Sequence, residues 1–338
     1  MTTAPSVPTL RVENLQTHFP TRDGIIRAVD GVSFEVNAGE ILGLVGESGS
    51  GKSITGFSIL GLLDPPGHVA GGSVLFKGED IVAAAPQRLR QLRGARIAMI
   101  FQDPMMTLNP VLRVDTQMIE AVRAHNKVSE SAARDRAIET LRAVGIAAPE
   151  ERLKSYPHQF SGGMRQRVAI AIALLNKPDL IIADEPTTAL DVTIQGQILY
   201  EMRKLCRETG TALIWITHDL SVVAGLADRV MVMYAGRIVE TGSVAEVLEQ
   251  PRHPYTIGLI GSVPGGTARG HKLFQIPGMA PPPLNLPPGC RFKNRCGFAD
   301  AACDTMPEMA ELSPAHWARC HHPRPAQLAA NLAEGGVA

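Results

Sequence analysis

Short apolar runs recur through the first three-quarters of the chain, separated by longer segments whose apolar positions return every three or four residues. Ile41–Val45, 96–101, 180–183, Ala212–Thr217 and Arg229–Tyr234 have the length and apolar density of buried strands. Residues 131–144 and 164–176 carry the period of amphipathic helices. Strands alternating with helices over residues 8–250 predict an α/β fold with a largely parallel, helix-covered sheet. Within it, residues 104–157 show no clear strand pattern and read as a mostly helical insertion. Beyond Pro251 the texture changes. Residues 263–289 are crowded with proline and glycine, including Pro281-Pro282-Pro283 and Pro287-Pro288, and read as extended loop. A domain boundary is therefore placed near residue 250. The last residues, 328–338, read as a frayed tail.

Composition narrows the function classes. Lys+Arg and Asp+Glu balance at 33 each, so no global charge draws the chain toward nucleic acid. The first eight residues carry no basic and apolar leader pattern. No apolar run approaches the roughly 18 residues of a membrane span. The chain is expected to be soluble, and any membrane role to need a membrane-embedded partner.

Residues 46–53 read Gly46-Glu47-Ser48-Gly49-Ser50-Gly51-Lys52-Ser53, a full match to G-x-x-x-x-G-K-[ST]. A predicted strand precedes the match and a helical pattern (Ile54, Phe57, Leu60) follows it. Glycines let the backbone N–H groups converge on phosphate oxygens, and the helix start adds its dipole. Lys52 is expected to reach the β- and γ-phosphates of ATP, and the Ser53 hydroxyl to ligate Mg²⁺. A second predicted strand, 180–183, delivers Asp184 and Glu185 to a sheet edge, where ligands bind in open α/β folds. Asp184 is expected to hold Mg²⁺. Glu185 is placed to polarise a water for in-line attack on the γ-phosphate.

Further motifs stand in order around these two. Gln102 follows the strand at 96–101. Phe160-Ser161-Gly162-Gly163-Met164-Arg165-Gln166-Arg167 precedes Asp184, and Ala189-Leu190-Asp191 and then His218 follow it. The set over about residues 9–250 resembles the ATPase domain of ATP-binding-cassette (ABC) proteins, with Phe for Leu and Met for Gln in the LSGGQ signature. The resemblance implies a P-loop ABC core spanning 8–250, with a helical subdomain at about 104–165. It implies that Gln102 senses Mg²⁺ and the γ-phosphate, that Asp191 lies in the loop crossing a dimer interface, and that His218 is a switch histidine. Phe19 falls near the aromatic that stacks on adenine; an ordinary core role is the alternative. Ser161, Gly162 and Gly163 would close over ATP held by a second cassette, either this chain or a related one.

One cassette with only a short span between Gln102 and Ser161 favours a transporter over a non-transport ABC ATPase. The wording of 46–53, of Phe101-Gln102-Asp103-Pro104-Met105-Met106-Thr107-Leu108-Asn109-Pro110 and of His253-Pro254-Tyr255-Thr256 resembles the dipeptide/oligopeptide importer subfamily. That implies two permease partners, an extracytoplasmic binding protein acting indirectly, and a peripheral position on the cytoplasmic face of the cell membrane. Nickel and other small-solute importers share much of this wording and are the alternative.

The extension, 251–338, carries Cys290, Cys296, Cys303 and Cys320 in a C-x₅-C-x₆-C-x₁₆-C pattern. The C-x₂-C pairs of a zinc ribbon are missing, and four thiolates suit an iron–sulfur cluster. Structural zinc and unliganded thiols stay open as alternatives, and His316, His321 and His322 stand close enough in sequence for a mixed set. The peptide-importer resemblance favours a [4Fe–4S] cluster. The extension is expected to fold apart from the core, leaving the loop at 46–53 independent of the cysteines.

Overall fold

The computed structural model describes residues 7–187, 192–262 and 275–324. In chain order its elements begin with β1 (Leu10–Thr21), β2 (Gly24–Val36), β3 (Ile41–Val45), α1 (Lys52–Leu60), β4 (His68–Phe76), β5 (Glu79–Asp80), α2 (Pro86–Leu92) and β6 (Ile97–Ile100). Four helices follow, α3 (Val114–Arg123), α4 (Glu130–Ala143), α5 (Pro149–Arg152) and α6 (Gly162–Leu174). Next come β7 (Leu180–Asp184), α7 (Val192–Thr209), β8 (Ala212–Thr217), α8 (Leu220–Leu226), β9 (Arg229–Tyr234) and β10 (Arg237–Ser243). The described chain ends with α9 (Val244–Glu249), α10 (Pro254–Gly261), β11 (Ala310–Ser313) and β12 (His316–Ala318).

The chain divides into two compact units. The first holds the described parts of Met1–Arg11, Glu35–Ile41 and Leu75–Ile216. Its strands run in the order β8-β7-β6 and pair in parallel, with Ile182 opposite Met99 and Ile214. β7 and β8 are buried along their whole length. Leu180-Ile181-Ile182-Ala183 is therefore a continuous apolar run, as a strand covered on both faces requires. The helices α3, α4 and α5 lie within 104–157, the span expected to be mostly helical, and α6 falls on the helix expected at 164–176. Ser129 caps α4 by accepting from Ala132 N at 3.2 Å. No helix among the described residues is long and apolar enough to cross a membrane.

The second unit holds Val12–Phe34, Leu42–Val74 and the described part of Thr217–Ala338. Its strands run β11-β12-β10-β9-β3, with β3 and β9 parallel and the others antiparallel. The expected strands at 41–45 and 229–234 are present. The strands β1, β2 and β4 lie side by side in a separate sheet that the expected strand–helix alternation did not anticipate. Their faces are only half apolar. Leu10, Val12, Leu15 and Thr17 are buried while the positions between them are largely solvated, and Gly71-Gly72 dilutes β4, so neither reads as an apolar run.

The cysteine-bearing extension does not fold apart. β12 pairs with β10, setting Ala318 opposite Glu240 and Trp317 opposite Thr241. Phe292, between two of the cysteines, packs its ring edge-on against Tyr234 of β9 at 5.3 Å and against Tyr255 of α10 at 5.5 Å. Cys290 and Cys303 are buried in the same apolar cluster as Val45, Val232 and Tyr234. The physical reason is area: an extension this poor in apolar residues can bury them only against a larger neighbour.

Glu240 anchors the arrangement. It is fully buried, and its carboxylate accepts from Arg252 N at 2.7 Å and His253 N at 2.9 Å. It also meets His316 Nε2 at 2.8 Å. His316 is thus held by β10. Glu240→Ala strands the buried His253 N–H and the partly buried Arg252 N–H and is expected to destabilise the protein by about 3 kcal/mol. Urea unfolding should show the lower midpoint, and hydrogen exchange should show lost amide protection at Arg252 and His253. Unchanged protection there would remove Glu240 as the anchor.

Candidate functional site: a phosphate-binding loop, a carboxylate edge and a cysteine cavity

The loop Gly46–Ser53 lies between β3 and α1, in the second unit. Two glycines are fixed by close approach. A Cβ on Gly46 would sit 2.2 Å from Met233 O, and one on Gly51 would sit 2.4 Å from Ala28 O. Both have positive φ, 155° and 106°, so a side chain is excluded by strain as well as by contact. The buried Lys52 opens α1 and curls back across the loop. Its Nζ donates to Gly46 O at 2.8 Å and to Glu47 O at 3.0 Å. An ammonium at a helix start beside a glycine-rich turn is a binding place for a polyanion.

The loop is held from outside by residues far along the chain. Gly236 N donates to Ser50 O at 2.8 Å. Tyr255 Oη accepts from Glu47 N at 2.8 Å. Arg295 grips the Glu47 carboxylate with two nitrogens, at 2.8 and 3.1 Å. Arg291 donates to Ala235 O and to Asp30. Burial alone would raise the Asp30 carboxyl, but Arg291 and Arg237 beside it hold it below its ordinary value. Arg291 and Arg295 were not singled out by the sequence motifs, and Tyr255 entered only as part of the His253–Thr256 wording, with no contact to the loop foreseen. For the arginines the one sequence signal was their position, each next to a cysteine.

Phe19 projects from β1 half-buried, not as a core residue. It lies close enough to the turn before β4 that a Cβ on Gly67 would meet its ring at 2.3 Å. His218 stands exposed just past β8, ahead of Asp219, which caps α8 by accepting from Ser221 N at 2.8 Å.

In the first unit, Asp184 is buried at the end of β7. Glu185 follows it in a left-handed backbone conformation, φ 44°, with its N–H bonded to Ile216 O at 2.9 Å. That conformation costs about 1 kcal/mol in a non-glycine residue, and such strain clusters at functional positions. Because Ala183 stands opposite Ile100 in the β6–β7 ladder, Gln102 and Glu185 leave the same sheet edge. The Gln102 amide reaches the Glu185 carboxylate at 3.4 Å. Ser161, Gly162 and Gly163 form the start of α6. The Ser161 hydroxyl caps the helix by accepting from Met164 N at 3.3 Å. Ser161 and Gly162 are exposed, with open space around Gly162. Arg165 fixes this helix start by donating to Pro157 O and Phe160 O, and buried Arg167 ties α6 to α7 through Gln197. Asp191 lies outside the described residues.

Cys290, Cys296, Cys303 and Cys320 line one small enclosed cavity, with His321 and His322 on its wall. Burial pushes the Cys320 thiol up to about 11 and raises those of Cys290 and Cys296, and the neighbouring sulfurs push the same way. His316 is not among the lining residues. Among the described residues, the ligand atoms that fall within 4.8 Å of one another are those of Asp300, Cys303 and His322, and no three of the cysteines do so. The donor set is thiol-rich, with Cys290 and Cys303 buried and Cys296 and Cys320 partly so.

The ABC transporter family model matches residues 29–188, and the model of the oligopeptide/dipeptide transporter C-terminal region matches 239–303. The chain is 49% identical over 314 residues to the oligopeptide transport ATP-binding protein OppD of Escherichia coli K12, covering 93% of each chain. It is 50% identical over 313 residues to the dipeptide transport ATP-binding protein DppD of Bacillus subtilis 168, covering 92% of this chain and 93% of the relative. A post-hydrolysis dimer of the ATP-binding cassette MJ0796, bound to ADP and Pi, superposes on 70% of the chain with a TM-score of 0.64 at 28% identity, covering 98% of that structure. The cbiO1 cassette of Clostridium perfringens, part of the transporter complex cbiONQ, gives a TM-score of 0.60 at 30% identity over 71% of this chain and 90% of its own. With the loop, the carboxylate edge and the signature helix in place, this chain belongs to the ABC transporter ATPases, in the branch that carries the oligopeptide/dipeptide transporter C-terminal region.

Proposed function

We propose that the chain is the ATP-binding and ATP-hydrolysing subunit that powers import of di- and oligopeptides through a membrane ABC transporter. The observation that carries this reading is the likeness to peptide-transport ATP-binding proteins, which runs through both the cassette and the C-terminal region. A nickel or other small-solute importer has no comparable support. The chain is assigned to the cytoplasmic face of the cell membrane, peripherally, against two permeases. A second cassette, from a related chain or another copy, completes the pair. An extracytoplasmic binding protein presents the peptide, with no nucleic acid involved.

Residues 8–250 form the cassette in this reading, with the helical subdomain at about 104–165, and residues 251–338 form the extension. The amides of Gly46–Ser53 and the Lys52 ammonium hold the β- and γ-phosphates, and Phe19 stacks on adenine. Ser53, Gln102 and Asp184 would hold Mg²⁺, which when bound would supply positive charge to the transferring phosphoryl group. Glu185 takes the proton of the attacking water, and His218 contacts the γ-phosphate. Ser161, Gly162 and Gly163 present a helix start to the ATP of the partner cassette, and Asp191 lines the interface between the two.

The four cysteines hold a [4Fe–4S] cluster. Their thiols line one common cavity, and an all-thiolate donor set suits an iron–sulfur cluster.

Glu185→Gln keeps the shape of the side chain but loses its basicity. Turnover is expected to fall by at least ~100-fold while nucleotide titration stays near wild type. Turnover within a few-fold of wild type would take the base role from Glu185. Ser161→Arg is expected to leave this chain's own nucleotide affinity intact and to stop hydrolysis at the partner's loop; loss of its own affinity would contradict the composite site. Anaerobically purified protein is expected to be brown, with about four irons per chain and broad absorbance near ~400 nm. One zinc and no iron would replace the cluster with a structural zinc site. For the cargo, ATP hydrolysis by the reconstituted transporter should rise with di- or oligopeptide and its binding protein. A rise with nickel alone would favour the alternative.

A further inference from the structure

Glu47 is a carboxylate inside a loop built to bind phosphate. Unless it is neutralised, its charge opposes the ligand. Every polar group of the residue is engaged. The N–H donates to Tyr255 Oη at 2.8 Å. The carbonyl accepts from Lys52 Nζ at 3.0 Å and Ser50 N at 3.2 Å. The carboxylate meets the guanidinium of Arg295 in a two-point pair.

Arg295 is itself held on all sides. Its side chain is 7% exposed. Its Nε donates to Pro277 O at 2.9 Å, and its guanidinium lies 5.8 Å from the Tyr234 ring centroid and 5.9 Å from that of Phe292. A fork fixed in this way presents its two donors in one orientation, so the carboxylate it binds has one position. Arg295 ends a short 3₁₀ turn, Lys293–Arg295, that joins Cys290 to Cys296. Both cysteines line the common cavity. Whatever fixes the two sulfurs therefore fixes the turn, and the turn aims the arginine.

We infer that Arg295 is a positioning residue of the nucleotide loop, cancelling the Glu47 charge and coupling that loop to the cysteine cavity. The inference rests on 46–53 being the nucleotide loop. By reciprocity, a bound nucleotide steadies the cysteine segment as much as that segment favours the nucleotide. The coupling needs no movement across the molecule, because Glu47, Arg295 and the four cysteines belong to one compact unit.

The test is equilibrium titration of the full chain with a fluorescent, non-hydrolysable ATP analogue. Arg295→Met is expected to weaken binding by about tenfold at low salt, and by less as screening shortens the reach of the freed Glu47 charge. Adding Glu47→Gln to Arg295→Met should recover most of the binding that Arg295→Met alone loses. A merely structural role would not be rescued by removing a second group. Arg295→Lys, which keeps the charge without the fork, should fall between wild type and Arg295→Met, and it carries the test should Arg295→Met fail to fold. Cys296→Ser should weaken binding in the wild-type background and leave the Arg295→Met/Glu47→Gln chain unaffected. Wild-type affinity in Arg295→Met, or a double variant as weak as the single, would overturn the charge role. An effect of Cys296→Ser that persists undiminished in the double variant would overturn the coupling. Lys52→Ala separates this inference from its foundation: wild-type binding in that variant would refute the loop itself, whatever Arg295 does.

Discussion

The backbone at 46–51 has almost no room. Met233 O and Ala28 O stand so close to Gly46 and Gly51 that neither position admits a Cβ. A phosphate-binding loop needs its amides turned inward, so its carbonyls must find partners elsewhere. They find them in Lys52, in Ser50 and in Gly236. The last of these belongs to the β9–β10 turn, which Arg291 in turn holds through Ala235 O. The curvature of the loop is thus set by a hairpin and an extension far along the chain, the latter 248 positions from Glu47. The aromatic contacts of Phe292 and the buried Glu240 serve the same end by keeping that hairpin and the extension together.

Much of the cassette was legible because its chemistry is written in contiguous residues. Gly46–Ser53 needs its neighbours at fixed spacing. Asp184 and Glu185 follow a strand whose burial on both faces leaves an unbroken apolar run. Ser161 precedes a helix start that it caps. The sheet formed by β1, β2 and β4 was not legible, because a half-solvated strand with Thr17 turned inward and glycines in its partner does not stand out from loop. The attachment of the extension was hidden for another reason. Arg295 and Glu47 stand 248 positions apart, and nothing local to either tells that a guanidinium beside a cysteine will meet a carboxylate inside the loop. Proline-rich wording signalled a separate segment, and the segment instead adds two strands to the sheet that contains β3.

The second unit draws on three separated stretches of chain, with the loop Gly46–Ser53 near the beginning and the backbone that encloses it near the end. This order matters during synthesis. When Gly46–Ser53 leaves the ribosome, its carbonyl partners at Gly236 and its clamp at Arg295 do not yet exist. The loop must wait, open and solvated, until β9, β10 and the cysteine segment have been made. Contacts of such sequence separation form late, since the chain entropy of closing them must be lost before any packing is gained. The nascent protein therefore encloses the loop at 46–53 only once the C-terminal segment has emerged. A product truncated after β10 would lack the arginines that finish the loop, and would be left with an open sheet edge exposed to other chains.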